Sequence, residues 1–207
     1  MIDSKKMCEI IKTIAKKVNE QKDYLTELDN EIGDGDHGIN LARGFGAVEE
    51  KLPGLEGQDI GAVLKSVGMT LVSTVGGASG PLYGTAFMKA GAAAKGLQEM
   101  DGEAFLKAFE AAIGGIKMRG KSEEGEKTML DALCPAFKAL SEKLSVGESL
   151  KAALGAAVAA AEAGKEHTKD IIATKGRASY LGERSLGHVD PGAASSLLML
   201  QVFEATL

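Results

Sequence analysis

Three aspartates, Asp29, Asp34 and Asp36, lie within eight residues of one another in the stretch LDNEIGDGDHG. Glycines between and after them allow the backbone to bend so that the carboxylates converge. Carboxylates held at close range repel one another unless a cation balances their charge. Because the dense ligands in this stretch are hard oxygen donors, the cluster predicts a Mg²⁺, Ca²⁺ or Mn²⁺ site rather than a zinc site.

Two other interpretations of this acidic stretch are an EF-hand and a solvated loop. The EF-hand does not fit, because Ile39 and Phe45 occupy the sixth and twelfth positions counted from Asp34. A calcium loop needs Gly and Glu at those positions. A solvated acidic loop in which Asp36 caps the following helix stays open as the alternative to metal binding.

A glycine-rich stretch, STVGGASGPLYG at residues 73–84, is the second candidate, with Ala78 and Ser79 just before Pro81. Proline is favoured in the first turn of a helix, and the backbone N–H groups at a helix N-terminus bind anions. The stretch therefore predicts a phosphate loop. A tight turn between two helices is the alternative.

The third candidate, KGRASYLGERSLGHVDPG at residues 175–192, places two Arg, one Lys and one His among glycines. A loop of this length within a compact chain is usually functional or mobile, and arginine binds phosphate in a bidentate manner. The stretch predicts a segment that contacts an anionic ligand. The alternative is a flexible connection in which Asp190 only caps the last helix.

The residues GIKMRGKS at 115–122 match the Walker A pattern of nucleotide-binding proteins. A Walker A loop follows a buried strand, and a helix begins at its lysine. Here an amphipathic helical pattern precedes the match and the polar residues SEEGEK follow it. We therefore do not expect a Walker A loop in this chain.

Helices must position these stretches, because the apolar periodicity is helical almost throughout and no strand pattern stands out. Residues 23–37 are predicted to be a loop. Eight helices are predicted at the following places: after Ser4 as cap, from about Gly38 to Lys51, after Asp59, after Pro81, after Asp101, from about Thr128 to Leu144, from about Val146 into the 160s, and after Asp190.

Glycine accounts for 27 of the 207 residues, and many of these glycines lie inside helical patterns. Each one costs about 0.5–1 kcal/mol relative to alanine, so close packing or a ligand must compensate. Eight helices of similar length with short loops predict an all-α fold, an antiparallel up-and-down closed barrel. We expect residues 1–207 to form a single domain.

Charge and composition narrow the range of partners. The chain has 24 Lys+Arg against 29 Asp+Glu, and only 4% of its residues are aromatic. Without a basic cluster or stacking residues, we expect no nucleic-acid partner. The uncharged residues 66–88 are interrupted by glycines, so we expect no membrane span. Without a signal peptide, and with Cys8 and Cys134 not in a paired spacing, we expect a cytoplasmic protein.

Four stretches, LDNEIGDGDHGINLARGF, VGGASGPLYGTAF, RGKSEEGEKTMLDAL and KGRASYLGERSLGHVDPGAASS, occur in this order along the chain. Together they resemble the nucleotide-binding L subunits of the dihydroxyacetone kinase family, and the resemblance spans essentially the whole chain. It implies an eight-helix barrel with ADP or ATP bound at one end. Because fatty-acid kinases and other sugar kinases carry a similar module, the resemblance is less specific for the substrate.

The resemblance also implies the roles of individual residues. Asp29, Asp34 and Asp36 match the aspartates that hold two Mg²⁺ ions on the diphosphate, where phosphoryl transfer takes place. The positions matched to nucleotide contacts are His37, Gly38, Ile39, Asn40, Ala78, Ser79, Gly120, Met129, Arg177, Asp190, Pro191 and Gly192.

Partner subunits follow from the same resemblance, since these subunits are active only within a complex. A K subunit holds dihydroxyacetone covalently through a histidine. In the phosphotransferase-system type, the phosphohistidine of an M subunit carries phosphate from phosphoenolpyruvate to bound ADP, and some members also contact a transcription regulator. We expect a homodimer or a hetero-oligomer with the K subunit.

Three alternatives remain open from the sequence. The chain could serve an ATP-exchanging kinase of dihydroxyacetone or a related short ketose. It could instead be a non-catalytic, nucleotide-binding regulatory module. A lipid-binding helical barrel is the third alternative, because the predicted interior faces are rich in Ala and Gly.

Overall fold

The computed structural model describes all residues, 1–207, and most of them lie in nine α-helices. Three 3₁₀ helices (Leu52–Leu55, Thr168–Asp170 and Arg177–Ser185) and two short antiparallel strands, β1 (Ile2–Asp3) and β2 (Glu99–Met100), complete the fold. The α-helices are α1 (Ser4–Glu20), α2 (Lys22–Ile32), α3 (His37–Lys51), α4 (Ile60–Thr74), α5 (Ser79–Ala93), α6 (Gly102–Gly120), α7 (Leu130–Ser145), α8 (Leu150–His167) and α9 (Pro191–Thr206).

The all-α prediction is confirmed, but the predicted loop over residues 23–37 is wrong for most of its length. Its first part forms α2, which buries Leu25, Asp29 and Ile32 at steps of four and three residues. The many acidic side chains of this stretch concealed that helical spacing. The strands were also missed, because two-residue strands are too short to show the alternation that identifies a strand.

Aspartates cap three of the helices whose starts the sequence predicted, and for Asp190 the capping role itself was predicted. The side chains of Asp59, Asp101 and Asp190 accept hydrogen bonds from the first turns of α4, α6 and α9. Ser4 was the wrong cap for α1, because Asp3 accepts from the backbone N–H of Lys6 while the Ser4 hydroxyl donates to a carbonyl outside the helix. The predicted helix start at Val146 was also too early, since α8 begins after its cap, Ser149.

Contacts between the helices run in a cycle that includes every helix except α2. In order, the neighbours are α1, α3, α4, α5, α6, α7, α8 and α9, and α9 packs back against α1. Helix α2 packs on α3 and α9. The cycle is consistent with the predicted closed barrel, and its closure stays a prediction. None of the helices is both long enough and apolar enough to cross a membrane.

Glycines inside helices mark places where two backbones approach closely. A Cβ on Gly68 of α4 would lie 2.6 Å from the carbonyl oxygen of Gly84 in α5, and one on Gly61 would lie 2.6 Å from the carbonyl oxygen of Gly91. Close packing therefore explains these helical glycines, as the sequence led us to expect. Between the helices, mainly apolar side chains line a partly open cavity of about 110 Å³. The lipid-binding alternative stays a prediction.

Candidate functional site

A polar cleft of about 470 Å³ is lined by residues from all three candidate stretches of the sequence. All but three of the predicted site residues line it. They are Asp29, Asp34, Asp36, His37, Ala78, Ser79, Gly120, Met129, Arg177, Asp190, Pro191 and Gly192. Gly38, Ile39 and Asn40 do not line it.

The aspartate cluster forms where α2 ends and α3 begins. One oxygen from each of Asp29, Asp34 and Asp36 lies within 4.8 Å of the other two. That separation lets the three carboxylates share a divalent cation, because Mg²⁺ and Ca²⁺ bind carboxylate oxygens at about 2.0–2.6 Å. The residues therefore fit a cation site with hard oxygen ligands.

Asp29 is the buried member of the cluster, and one of its carboxylate oxygens accepts hydrogen bonds from the backbone. Its Oδ2 accepts hydrogen bonds from the backbone N–H groups of Asp36, at 2.9 Å, and His37, at 3.1 Å. These bonds hold the first residues of α3 against the end of α2. The opposite oxygen, Oδ1, lies 2.0 Å from where a Cβ on Gly33 would be, so only glycine leaves room for it.

Asp34 is more exposed and is paired with a cation from the far end of the chain. Its Oδ2 lies 2.9 Å from Nη2 of Arg177, at the start of the 3₁₀ helix Arg177–Ser185. The arginine partly balances the charge of the three carboxylates. This ion pair also holds the third candidate stretch, residues 175–192, against the stretch that contains the three aspartates.

The glycine-rich stretch contributes the turn between α4 and α5. Gly77 has φ of 66°, a conformation that favours glycine, and a Cβ there would lie 3.8 Å from Oδ1 of Asp36. Ala78 and Ser79, at the start of α5, therefore lie beside the aspartate cluster. No side chain caps this helix, so its first backbone N–H groups remain available for an anion.

Three helix N-termini contribute to this cleft. Asp36 and His37 begin α3, Ala78 and Ser79 begin α5, and the Asp190–Gly192 turn begins α9. Each helix places the positive end of its dipole there. The sequence had indicated single helix starts, but only packing brings the three together. Such an arrangement favours a polyanionic ligand such as a nucleotide diphosphate.

His37 is buried, and its ring belongs to a hydrogen-bonded network that sequence reasoning missed. Its Nε2 lies 2.9 Å from the hydroxyl of Ser195, which lies 2.6 Å from the hydroxyl of Tyr83. Tyr83 also contacts the Ser196 hydroxyl. Burial lowers the pKa of His37 to about 4 and raises that of Tyr83 to about 12. Both side chains are therefore neutral near pH 7 and serve to position the starts of α3 and α9.

Lys127 is a second residue that the sequence did not single out. It is almost fully buried, has φ of 61°, and lines the cleft. Its ammonium donates to the carbonyl oxygen of His188 at 2.6 Å and to that of Thr168. Burial lowers the pKa of this ammonium, while the charges of Asp190 and Asp131 oppose the shift. The motif EKTMLD had signalled a family resemblance, but not this buried cation.

Asp190 is the buried carboxylate near Lys127, and it confirms the predicted capping role. Its Oδ2 accepts from the backbone N–H of Ala193 at 2.7 Å, and its own N–H donates to the hydroxyl of Thr168. Burial raises the pKa of Asp190 to about 7, although the hydrogen bond from Ala193 and the charge of Lys127 act in the opposite direction.

The three predicted residues outside the cleft have other surroundings. Gly38 lies against α2, since a Cβ there would be 2.0 Å from the carbonyl oxygen of Lys22. Ile39, in the first turn of α3, is 50% exposed. Asn40 is buried and lies against Gly76 of the glycine-rich turn.

The Walker A match at residues 115–122 is confirmed not to be a Walker A loop. Gly115 to Gly120 lie inside α6, and Lys121, with φ of 47°, follows the C-terminus of that helix. A helix C-terminus carries the negative end of the dipole, which disfavours phosphate. Gly120 and Met129 nevertheless line the cleft on this side, together with Arg119, Ser122 and Thr128, which sequence reasoning missed.

A model of the DAK2 domain matches residues 31–205 of this chain, which is most of its length. The chain therefore belongs to the DAK2 domain family. This family assignment agrees with the geometry, since the matched range contains two of the three clustered aspartates, the glycine-rich turn and the Arg177 segment.

Similar proteins support this assignment. The chain is 48% identical to the ADP-binding subunit of the PEP-dependent dihydroxyacetone kinase of Escherichia coli (strain K12), over 88% of this chain and 87% of that protein. It is 42% identical to the ADP-binding subunit of the PTS-dependent dihydroxyacetone kinase of Lactococcus lactis, over 89% of this chain and 88% of that protein.

A solved structure also resembles this fold. The dihydroxyacetone kinase of C. freundii in complex with AMP-PNP and Mg²⁺ superposes with a TM-score of 0.76 and 25% sequence identity. The match covers 97% of this chain but 34% of that chain, so this chain spans about a third of that longer kinase.

Proposed function

We propose that this chain is the ADP-binding subunit of a dihydroxyacetone kinase that takes its phosphate from phosphoenolpyruvate through a phosphotransferase system. The observation that carries the proposal is the position of three clustered aspartates beside the glycine-rich turn and Arg177, in one cleft. The kinase names of the relatives support it.

In this proposal the cleft holds Mg²⁺-bound ADP or ATP, and residues 1–207 act as one domain. Asp29, Asp34 and Asp36 would hold two Mg²⁺ ions, which would supply positive charge against the phosphates and the group in transfer. Ala78 and Ser79 donate backbone hydrogen bonds to the phosphates, and Gly120 and Met129 line the adenine side. Arg177 and the Asp190–Gly192 turn close over the nucleotide, and His37 begins the contact segment of α3, whose next residues, Gly38, Ile39 and Asn40, continue it outside the cleft.

The chain's own residues position the reacting groups rather than forming a covalent intermediate. Phosphoryl transfer needs in-line positioning and electrostatic stabilisation. The helix N-termini of α3, α5 and α9 supply fixed N–H dipoles, and Arg177 supplies a planar cation that can bind phosphate in a bidentate manner. No nucleophilic side chain is needed on this subunit.

Two partner subunits complete the reaction in this proposal. A phosphohistidine on an M subunit phosphorylates bound ADP, and the resulting γ-phosphate passes to dihydroxyacetone held on a K subunit. The subunit works in the cytoplasm, is active only in that complex, and associates with the K subunit or with a second copy of itself. A contact with a transcription regulator belongs to the same proposal.

The donor can be tested on the purified chain. The protein is prepared in Mg²⁺ without added nucleotide and denatured, and any released nucleotide is identified and counted by mass spectrometry. Near-stoichiometric ADP supports a retained coenzyme and the phosphoenolpyruvate-driven reaction. An empty site that binds ATP reversibly would instead favour a kinase subunit that exchanges ATP from solution.

The catalytic role is tested with Asp34→Asn in a complex reconstituted with K and M subunits. We expect the variant to lose phosphoryl transfer and to keep binding its partners, because the substitution removes a metal ligand from an exposed position. Unchanged transfer would overturn the metal assignment. A wild-type chain that binds nucleotide but never supports transfer would favour the non-catalytic regulatory module.

A further inference from the structure

Ser122 is a buried serine whose hydroxyl makes no hydrogen bond to another protein group. It lies just beyond the end of α6, is 7% exposed and lines the cleft. Among the buried side-chain oxygens and nitrogens, only Oγ1 of Thr26 is both sealed from solvent and without a partner. The Ser122 hydroxyl is therefore open to the cleft. Buried polar groups are normally hydrogen-bonded, so this hydroxyl is suited to bind a ligand there.

A tight turn fixes the position of this hydroxyl. Lys121, with φ of 47°, turns the chain away from α6. The next residue after Ser122 is held twice, because the backbone N–H of Glu123 donates to the carboxylate of Glu126 at 2.7 Å, and its own carboxylate lies 2.6 Å from Nζ of Lys117. Ser122 therefore lies between two constrained residues.

The part of the cleft beside Ser122 is apolar. A Cβ on Gly120 would lie 3.0 Å from Oγ of Ser122 and 3.2 Å from Cδ2 of Leu82, so these two side chains flank the same point at the end of α6. Ile116, one turn earlier in α6, and Met129 also line the cleft. The aspartates and the helix N-termini suit phosphates, whereas this corner suits an uncharged ring.

The C-terminus of α6 adds hydrogen-bond acceptors to the same corner. No N–H or O–H group of the protein donates to the carbonyl oxygens of Met118, Arg119 or Gly120. Carbonyl groups at a helix C-terminus point out of the helix and carry the negative end of its dipole. They favour a donor such as an amino group and disfavour another carbonyl oxygen.

We propose that Ser122 and the open carbonyl end of α6 select the base of the nucleotide, favouring one that carries an amino group beside a ring nitrogen, as adenine does. The carbonyl oxygens of α6 accept from the amino group, and the Ser122 hydroxyl donates to the ring nitrogen. Guanine presents a carbonyl oxygen where adenine presents its amino group, and the end of α6 has no donor for it. This inference rests on the proposed function, because it needs a nucleotide in the cleft.

The role of Ser122 is tested by calorimetry on Ser122→Ala in Mg²⁺, with ADP and with inorganic pyrophosphate. We expect ADP to bind about 3- to 10-fold more weakly to the variant than to the wild type, which corresponds to the loss of one neutral hydrogen bond. Pyrophosphate has no base, so it should bind to both proteins with equal affinity.

The role of the α6 carbonyls is tested on the wild type by changing the base, since a backbone group cannot be substituted. GDP and the diphosphate of purine riboside, which lacks only the amino group, should each bind at least about 10-fold more weakly than ADP. The Ser122→Ala substitution should weaken binding of the purine riboside compound by the same factor as that of ADP, because both ligands keep the ring nitrogens.

Ser145→Ala is the matched control. Ser145 also lies at the end of a helix, α7, but it is exposed, donates to the carbonyl oxygen of Glu142 and does not line the cleft. Its substitution removes the same hydroxyl and should leave ADP binding unchanged. Ser122→Ala should keep the melting temperature of the wild type, because no hydrogen bond within the protein is lost.

Three results would overturn the inference while leaving the proposed function intact. The first is wild-type ADP affinity in Ser122→Ala. The second is an equal loss of pyrophosphate binding in that variant, which would place the hydroxyl at the phosphates. The third is a wild-type protein that binds GDP as tightly as ADP. A wild-type chain that fails to bind ADP in Mg²⁺ would overturn the proposed function itself.

Discussion

The guanidinium of Arg177 lies 2.9 Å from the carboxylate of Asp34, although 143 positions separate the two residues in the chain. This contact is where the late 3₁₀ segment reaches the aspartate cluster. Both side chains are more than a third exposed, so the pair contributes little to stability. Its importance is positional, because it keeps a phosphate-binding cation over the predicted metal site.

Arg177→Ala should therefore speed nucleotide release without unfolding the protein. We expect the dissociation rate of Mg²⁺-ADP, followed by stopped-flow fluorescence, to rise about 10-fold because a charge-assisted contact is lost. The free energy of unfolding should change by less than about 0.5 kcal/mol. Arg184→Ala is the control, since Arg184 lies in the same segment but does not line the cleft. Equal effects of the two substitutions would contradict the prediction.

Lys127→Met should destabilise the fold. The substitution leaves the buried carbonyl oxygen of Thr168 and the partly buried one of His188 without their donor, and it removes the cation near Asp190. We expect a loss of about 2–4 kcal/mol in the free energy of unfolding, measured by urea denaturation. Lys138→Met is the control, because Lys138 is exposed and has no ion pair. A Lys127→Met protein as stable as this control would show that the buried ammonium has no structural role.

Helix α8 offers a matched pair of glycines for testing how closely helices α7 and α8 pack. A Cβ on Gly164 would lie 2.0 Å from the carbonyl oxygen of Asp131, whereas a Cβ on Gly155 would meet nothing within 4 Å. We expect Gly164→Ala to destabilise the protein by about 1–3 kcal/mol. Gly155→Ala should stabilise it by about 0.5–1 kcal/mol through helix propensity. Thermal unfolding of the two variants measures both effects, and the same sign in both would refute the close approach.

Asp190→Asn should change how stability depends on pH. Burial raises the pKa of Asp190 to about 7 from an ordinary value of 3.8. Between these values the folded state binds a proton that the unfolded state releases, so the free energy of unfolding falls as pH rises through this range. Asparagine can still cap α9 but does not titrate. As the pH rises from 4 to 7, the free energy of unfolding of the variant should therefore increase by roughly 1–4 kcal/mol relative to that of the wild type.

The measurement is urea unfolding of both proteins across that range in the presence of a metal chelator. His37 has the opposite effect, because its pKa is lowered to about 4 and its contribution to stability is lost as pH falls toward that value. Since both proteins contain His37, its contribution cancels in their difference. Parallel stability curves for wild type and variant would mean that the pKa of Asp190 in the folded state is not raised above its ordinary value.

The sequence by itself determined features that depend on neighbours along the chain. Apolar spacing predicted most of the helices, and helix starts were predicted after Asp59, Asp101 and Asp190, each of which caps its helix. The clustering of Asp34 and Asp36 with Asp29 could also be predicted, because residues separated by so few positions in the chain stay close to one another in space.

Only the tertiary structure decided which distant segments share the site. The hydroxyl of Ser195, in α9, contacts the ring of His37, and the carbonyl oxygen of His188 accepts a hydrogen bond from the ammonium of Lys127. These pairs are joined by packing between helices, and helical periodicity carries no information about which helix becomes a neighbour. The same packing left Ile39 outside the cleft and brought three helix N-termini into it. The physical reason is that the spacing of residues within one segment determines which face of a helix is apolar, whereas a site built from several helices depends on contacts between residues far apart in sequence.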